Sequence, residues 1–515
     1  AKDVYLTAND SGSSSESIVS LTTKLFIIGF IFLCSLGVIA LSLLVVSKNS
    51  LRLDEAQSLW QTSHSLAGTL KVVAQDVHVP LYHVILHFWQ LFIGTGIESA
   101  RYLSLGFFIA TIPIVYILAR RVLSINWSLF VVFLFSFSPF MNWYANEARM
   151  YTLLALVVTL SQYYFIRLIE TAGKKGWIGY TITAMLGVYT HYFFIFNLMS
   201  QGIYFIFNRR KFAKGTLKRL IFLAVALLVW LSPWLIYFYF LGLARNTSPN
   251  LSPPSTVDFS NVYSQFLFGF QNNNINTILV SSWPIIVIAT LFSVKYGQRL
   301  NRKMGYILVA VFVPVLLAFG LSYAISPFFL SRYMIASLAP LLILAVWFIS
   351  NYKKGFSFVI ASAFIIILTV VSVQQYFSSS TPVKENYKTV AEVLNKQVNP
   401  SDIIVLSAPF TIYPFQYYYN GDAKVASLPI WDRTVPGAIP SFDESQLPEQ
   451  VSDLNSNHQY VYLLLSYDQG YEEQIFQYYE QRFERVSNRQ FSDDLNLFVY
   501  RVGYSKAKPI GEINL

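Results

Sequence analysis

Long apolar runs separated by short polar segments fill most of residues 25–376, and this repetition constrains the fold more than any other feature of the chain. The runs cover 25–47, 80–94, 101–122, 125–142, 149–169, 177–190, 192–208, 219–242, 278–297, 304–325, 333–350 and 355–376. A helix crosses the hydrocarbon core of a bilayer with roughly 20 apolar residues, and most of these runs are of that order. A soluble domain would carry about 25% charged residues; this chain carries 12%, with 54% hydrophobic. It reads as a polytopic α-helical membrane protein. Residues 1–23, with the Ser-rich run Ser11–Ser17, read as a disordered cytosolic tail. The first run reads as an uncleaved anchor.

Charge divides the chain. Residues 1–376 hold 26 Lys and Arg against 10 Asp and Glu, whereas residues 377–515 hold 11 against 17. The basic excess is therefore that of membrane topology and not a nucleic-acid signature, so nucleic acid is not an expected partner. The single cysteine, Cys34, lies within an apolar run, which excludes disulfides and a cysteine metal site. The short run 80–94 decides the orientation of everything after it. If it does not cross and the N-terminus is cytosolic, the dense basic clusters at Arg120-Arg121, Lys174-Lys175, Arg209-Arg210-Lys211, Lys295 to Lys303 and Lys353-Lys354 all fall on the cytosolic side. This predicts about 11 transmembrane helices, with 80–94 at the outer face or re-entrant. It also predicts a membrane domain over 24–376, a first extracytosolic loop with interfacial helices over 48–100, and a long extracytosolic loop over 243–277. The membrane is expected to be the cytoplasmic one.

This topology gathers the rare ionisable groups. Between residues 17 and 376 the acids are Asp54, Glu55, Asp76, Glu98, Glu147, Glu170 and Asp258. Asp54, Glu55, Asp76, His78, Glu147, Arg149, His191, Arg245, Asp258 and Arg332 all fall outside or at the outer face, where costly membrane-depth charges suggest a single cavity. Each has a plainer reading alone. Asp54-Glu55 is a general base with a positioning neighbour or a metal site, or else an acidic cap on a helix N-terminus. Asp76 and His78 share a proton or a metal, or cap the helix that Pro80 begins. Glu147 and Arg149 form a site or an interfacial ion pair. His191 is catalytic or a hydrogen-bonded structural residue. Arg332 clamps a phosphate or snorkels to lipid headgroups.

After Tyr376 the composition becomes that of a soluble α/β domain, residues 377–515, expected outside the cytosol. Helices are predicted over 384–397, 411–419, 445–456 and 470–481. Strands are predicted over 402–408, 424–428, 459–466, 485–491 and 495–502. Alternation of this kind suggests a small sheet covered by helices. Neither a Gly-rich dinucleotide fingerprint nor a P-loop is present.

Five ordered elements carry a family resemblance: Leu53-Asp54-Glu55-Ala56; Asp76-x-His78-x-Pro80-Leu-Tyr82; Arg101-Tyr-Leu-Ser104 with Tyr116 and Arg120-Arg121; Ser138-Pro139 leading to Glu147-Ala-Arg149-Met-Tyr151; and Thr190-His191-Tyr192 with Arg332-Tyr333. In order and membrane side the chain resembles the GT-C glycosyltransferases that use polyprenyl-phosphate sugars, in particular the protein O-mannosyltransferase and aminoarabinose-transferase group. Relatives often have two prolines where this chain has Val79-Pro80. The resemblance implies a GT-C transmembrane domain and inverting transfer of a sugar from a polyprenyl-phosphate carrier to a hydroxyl of a glycan, lipid or protein acceptor, on the extracytosolic side. It implies Asp54 as general base with Glu55 beside it. Donor phosphate and sugar would be bound by Arg149, Arg332, His191, Tyr333, Tyr151 and Tyr82. Glu147, Asp76 and His78 would orient the acceptor. Some relatives bind a divalent metal between acidic residues of the two outer loops, which here would place Asp54 and Glu147, with His78 as a third candidate, around an ion; others in the group work without metal, and no other cofactor is implied. The rival from another class is a transporter or flippase of a lipid-linked sugar, against which the lack of paired halves speaks.

Overall fold

The computed structural model describes residues 20–503, apart from 77, 172, 243–250, 273, 278–300, 379–381, 436–438 and 467–468. The tail expected over 1–23 lies outside the described residues except for its last four, which open the first helix. The span expected over 278–297 and part of the loop over 243–277 also lie outside them.

Seven helical segments are long and apolar enough to cross a bilayer. They include α1 (Leu21–Leu43), α5 (Ile97–Ala119), α8 (Tyr151–Glu170) and α11 (Thr216–Gly242). The others are α13 (Arg302–Ala324), α14 (Leu338–Ser350) with the 3-10 turn before it, and α15 (Lys354–Phe377). The pair α6 (Ile125–Ser136) and α7 (Pro139–Ala145), bent by 54°, makes an eighth if taken as one span. Two further helices coincide with expected spans but are shorter, α9 (Lys174–Thr190, 17 residues) and α10 (Phe194–Asn208, 15 residues). At a rise of 1.5 Å per residue they cover about 26 and 23 Å, somewhat less than a 30 Å hydrocarbon core.

Burial sorts these helices into layers. The apolar windows of α8 and of the α14 segment are 72% and 78% buried within the protein, so they form the centre. Those of α1, α11 and α15 are only 17% buried, so their apolar faces are turned outward, as lipid-facing surface requires. Helix α5 packs between α8 and α6, and α10 packs on α13.

The first loop is helical. It holds α2 (Leu53–Thr62), α3 (Leu66–Ala74) and α4 (Leu81–Ile93). Helix α4 has 13 residues, about 20 Å, too short to cross. It starts at Pro80 and stops at Gly94, whose φ of 124° suits glycine. In the later loop, α12 (Thr256–Phe268) opens with a capping box. The Ser255 hydroxyl accepts from the Asp258 N–H at 3.2 Å, and the Asp258 carboxylate accepts from the Ser255 N–H at 2.7 Å. Asp258 is thus a helix cap.

The two ends of the bundle differ chemically. At one end Glu170 bridges Arg121 at 3.2 Å and Lys303 at 2.7 Å, and Arg302 donates to the Lys211 carbonyl. The basic clusters after α5 and α10 and before α13 therefore share one end. The other end carries the first loop and the C-terminal domain.

In that domain α16 (Tyr387–Gln397), β1 (Ile403–Ser407), α17 (Ile412–Tyr418), β2 (Lys424–Ser427), α18 (Leu447–Asn455), β3 (Tyr460–Ser466), α19 (Glu472–Arg482), β4 (Glu484–Ser492) and β5 (Leu495–Arg501) follow in order. The sheet runs β2-β1-β3-β5-β4, parallel among the first three strands and antiparallel around β5. Side chains alternate across it. Ile403, Val405, Val461 and Leu463 face α18 and α19, while Ile404, Leu406, Tyr462 and Leu464 join the core shared with the membrane helices. The junction is also polar: the Tyr418 hydroxyl accepts from the Leu51 N–H at 2.9 Å and the Tyr417 hydroxyl from the Ile97 N–H at 3.1 Å.

Candidate functional site

Helix α2 organises the candidate site because adjacent residues on a helix point about 100° apart. Glu55 and Asp54 therefore part company. Glu55 is fully buried and reaches back to the Arg52 N–H at 3.1 Å, a capping contact. It also takes a two-pronged ion pair from Arg101, at 2.8 and 2.7 Å, and the Ala148 N–H at 2.9 Å. Arg101 donates further to the carbonyls of Val46, Asn49 and Ser50. Glu55 is thus a clamp joining α1's exit, α2, α5 and the loop before α8. Its carboxylate is turned into the core.

Asp54, Gln57, Ser58 and Gln61 lie on a different face, at i, i+3, i+4 and i+7. The Asp54 side chain is 29% exposed, and its carboxylate accepts no hydrogen bond among the described residues. Arg332 lies 3.9 Å from it. Arg149, almost wholly buried, donates to the Asp54 carbonyl at 3.2 Å and to the Ser58 hydroxyl at 3.1 Å. Burial alone would raise the Asp54 pKa, but the Arg149, Arg332 and Arg52 guanidiniums outweigh it and hold the carboxyl well below the usual carboxylate range. Asp54 is an ionised carboxylate with unspent lone pairs.

The loop between α7 and α8 supplies Glu147 and Arg149. Glu147 accepts from Arg52 at 2.7 Å, and the Arg52 guanidinium lies over the Trp143 ring at 4.8 Å. The other Glu147 oxygen is buried without a partner, and burial pushes this carboxyl upward despite Arg52. Arg332 makes no hydrogen bond among the described residues; its guanidinium lies 5.9 Å over Tyr151 and 5.5 Å over Tyr333. The Arg149 Nε is likewise unpartnered.

The histidines here are neutral. His78 Nε2 lies 2.8 Å from Arg149 Nη2, which can only donate, so Nε2 accepts and the ring proton sits on Nδ1. Burial, then the Arg149 charge, pushes His78 well below its ordinary value. Asp76 is 3.6 Å from the same nitrogen but is held by the Gln57 and Gln61 amides at 2.8 and 2.7 Å. His191 accepts from the Phe193 N–H through Nδ1 at 3.2 Å, which leaves an N–H at Nε2. Its ring stands 5.3 Å from Tyr333 and 6.2 Å from Tyr151, and burial takes its pKa down to about 3.

Most of the residues named from the sequence thus converge: Asp54, Asp76, His78, Glu147, Arg149, Tyr151, His191, Arg332 and Tyr333. Two do not join them. Glu55 is spent in its clamp. Tyr82 is fully buried, its hydroxyl 3.4 Å from Ser104, which in turn donates to the Arg149 carbonyl at 3.4 Å. Arg52 and Arg101 are not among the site residues expected from the sequence; Arg52, two positions before Asp54, carries the same signal of a rare charge at a membrane exit. The donor set fits an anion better than a cation. Glu147 pairs with Arg52, His78 with Arg149 and Asp54 with Arg332, and among the described residues no three His, Cys, Asp or Glu are grouped so that they could hold a metal ion.

Residues 77–237 match the family described as dolichyl-phosphate-mannose-protein mannosyltransferase. No curated protein matches the chain by sequence. Among solved structures, ArnT from Cupriavidus metallidurans in the apo state superposes with a TM-score of 0.58 at 12% identity, over 93% of this chain and 98% of that one. The same protein bound to undecaprenyl phosphate gives 0.56 at 13% identity, over 94% and 99%. The apo oligosaccharyltransferase of Archaeoglobus fulgidus gives 0.52 at 14% identity, over 87% and 70%. The chain has the GT-C fold and resembles the mannosyltransferase and aminoarabinose-transferase group.

Proposed function

We propose that the chain is a membrane glycosyltransferase that moves a sugar from a polyprenyl-phosphate carrier to an acceptor hydroxyl. The observation that carries this reading is the juxtaposition of two unspent charges. The Asp54 carboxylate accepts no hydrogen bond, and the stacked Arg332 guanidinium 3.9 Å away donates none among the described residues. A carboxylate awaiting a proton donor beside cations awaiting an anion suits base-assisted transfer from a phosphate leaving group. The family match over 77–237 and the undecaprenyl phosphate bound by the ArnT neighbour support the same donor class.

The acceptor hydroxyl would donate to Asp54 while its oxygen attacks the anomeric carbon on the face opposite the lipid phosphate. The bond from that carbon to the phosphate oxygen breaks with inversion, its electron pair leaves with the phosphate, and Asp54 keeps the proton. Arg332 and Arg149, with the His191 Nε2–H, would balance charge growing on the leaving oxygen. A weak base suffices because the hydroxyl becomes acidic only as its bond to carbon forms. Donor phosphate would also draw the guanidiniums away from Asp54 and make it more basic. His78, held neutral by Arg149, positions that guanidinium, and the Glu55–Arg101 clamp positions Asp54. We assign the reaction to the extracytosolic face, because the basic clusters occupy the opposite end of the bundle. The domain over 377–515 then lies outside as well.

The test is transfer by the purified chain in lipid nanodiscs. Radiolabelled sugar should leave undecaprenyl-phosphate donors for an acceptor fraction from the cell envelope. A chain that binds no polyprenyl phosphate and transfers no sugar from any such donor would sink the proposal.

A further inference from the structure

A cavity of 750 Å³ opens on the side of α2 away from Asp54, between the first-loop helices and α17 of the C-terminal domain. Helix α2 presents Ala56, Leu59, Trp60 and Ser63 to it, the i, i+3, i+4, i+7 face that excludes Asp54. From Asp54 to Trp60 is about 9 Å along the helix axis. Its size is that of a small-molecule site.

Its chemistry is specific. The Arg433 guanidinium lies 5.3 Å over the Trp60 ring and 5.2 Å over the Tyr413 ring, and those two rings stand 5.2 Å apart. Arg433 makes no hydrogen bond and no ion pair among the described residues; the neighbouring Asp432 carboxylate is taken by the Thr434 N–H and hydroxyl. Gln90 is 7% exposed, and its side-chain amide makes no hydrogen bond among the described residues. The Nδ1 atoms of His64 and His87 sit 2.9 and 3.1 Å from the Trp60 and Thr62 carbonyls, so they donate and leave each Nε2 an acceptor. Among the described residues the lining contains no carboxylate. A stacked cation with unspent donors is the arrangement found at Arg332 in the candidate active site. Here it is joined to aromatic faces, an unpartnered buried amide and two imidazole acceptors.

We infer that this cavity binds a saccharide carrying a carboxylate or phosphate group, the anion on Arg433 and the sugar ring between Trp60, Tyr413 and Gln90. A lipid tail would leave the polar groups unmet, and an uncharged sugar would leave the guanidinium unmet. That the bound saccharide is part of the acceptor glycan rests on the transferase reading. The occupant then lies within a short oligosaccharide of Asp54 and would be held by both domains, which explains why a soluble domain packs on the first loop.

The experiment titrates the full chain in nanodiscs with glucuronate, glucose 6-phosphate and glucose, read by saturation-transfer NMR. The two anionic sugars should bind about tenfold more tightly than glucose, the value of one charge-assisted hydrogen-bond set. Arg433→Gln should erase that preference, Gln90→Leu should weaken all three ligands, and Asp54→Asn should change nothing. Equal binding of glucose, or an anion preference that survives Arg433→Gln, overturns the site. The acceptor role is read separately, as a raised acceptor KM with little change in kcat for Arg433→Gln. Charge-selective binding in a chain that transfers no sugar would keep this site and remove the transferase reading. Sugar transfer without such binding would do the reverse.

Discussion

Replacing Arg101 by alanine should cost more than any other single change in the membrane domain. The side chain is 3% exposed and donates to both oxygens of a Glu55 that is fully buried. It also satisfies the carbonyls of Val46, Asn49 and Ser50, where the chain turns from α1 into α2. Breaking a buried pair by removing one partner costs about 3–5 kcal/mol, because the other charge is left uncompensated. The Arg52 and Ala148 N–H groups still reach Glu55, which offsets part of that loss. The three carbonyls add about 1 kcal/mol each at most, and water reaches some of them. An expected loss of about 4 kcal/mol follows. It can be measured by unfolding the purified chain in mixed detergent and dodecyl sulfate micelles. Turnover should fall as well, since Asp54 and Arg149 are held by the same turn. The discriminating variant is the double change Arg101→Met with Glu55→Leu, which removes both charges and should recover at least half of the lost stability. If Arg101→Ala costs under about 1 kcal/mol, or the double variant is no more stable than the single one, Glu55 is not a clamp.

Two further outcomes can be checked on the same preparations. Arg332→Ala should lower kcat by about 10²–10³-fold, the usual effect of losing one stabilising donor for developing charge, and Arg332→Lys should restore part of it; equal activity in all three would remove Arg332 from the reaction. The pH profile should also be informative. Asp54 has a depressed pKa in the folded chain, so its basic form is present above the ordinary carboxylate range and is lost only as pH falls through that lowered value. His78 and His191, both pushed down, stay neutral throughout. The acid limb of kcat/KM should therefore be flat from about pH 5 to 8, and a limb near pH 6 that disappears in Asp54→Asn would contradict this electrostatic picture.

Much of the fold was legible because lipid imposes length and apolarity on each crossing, and the α/β pattern after Tyr376 was strong enough to place every strand of the sheet. The division between Asp54 and Glu55 was not legible. Two adjacent acids look alike in a sequence, and only the helix, through its 100° step and the partner Arg101 from α5, sends one into the core and leaves the other part-exposed beside Arg332. Asp76 and His78 suggested a pair by spacing. Gln57 and Gln61 claim the first and Arg149 the second, long-range contacts that spacing cannot encode. Tyr82 sat in a motif beside His78, yet its side chain turns inward to Ser104.

Asp54→Asn tests the central claim most directly. The variant is nearly isosteric, and the carboxylate it removes accepts no hydrogen bond among the described residues, so the protein should fold and bind polyprenyl phosphate as before. With a polyprenyl-phosphate sugar in nanodiscs, kcat should fall by about 10²–10⁴-fold, the contribution of a positioned general base. Turnover within a few-fold of the unaltered chain, with folding and donor binding intact, would contradict the assignment.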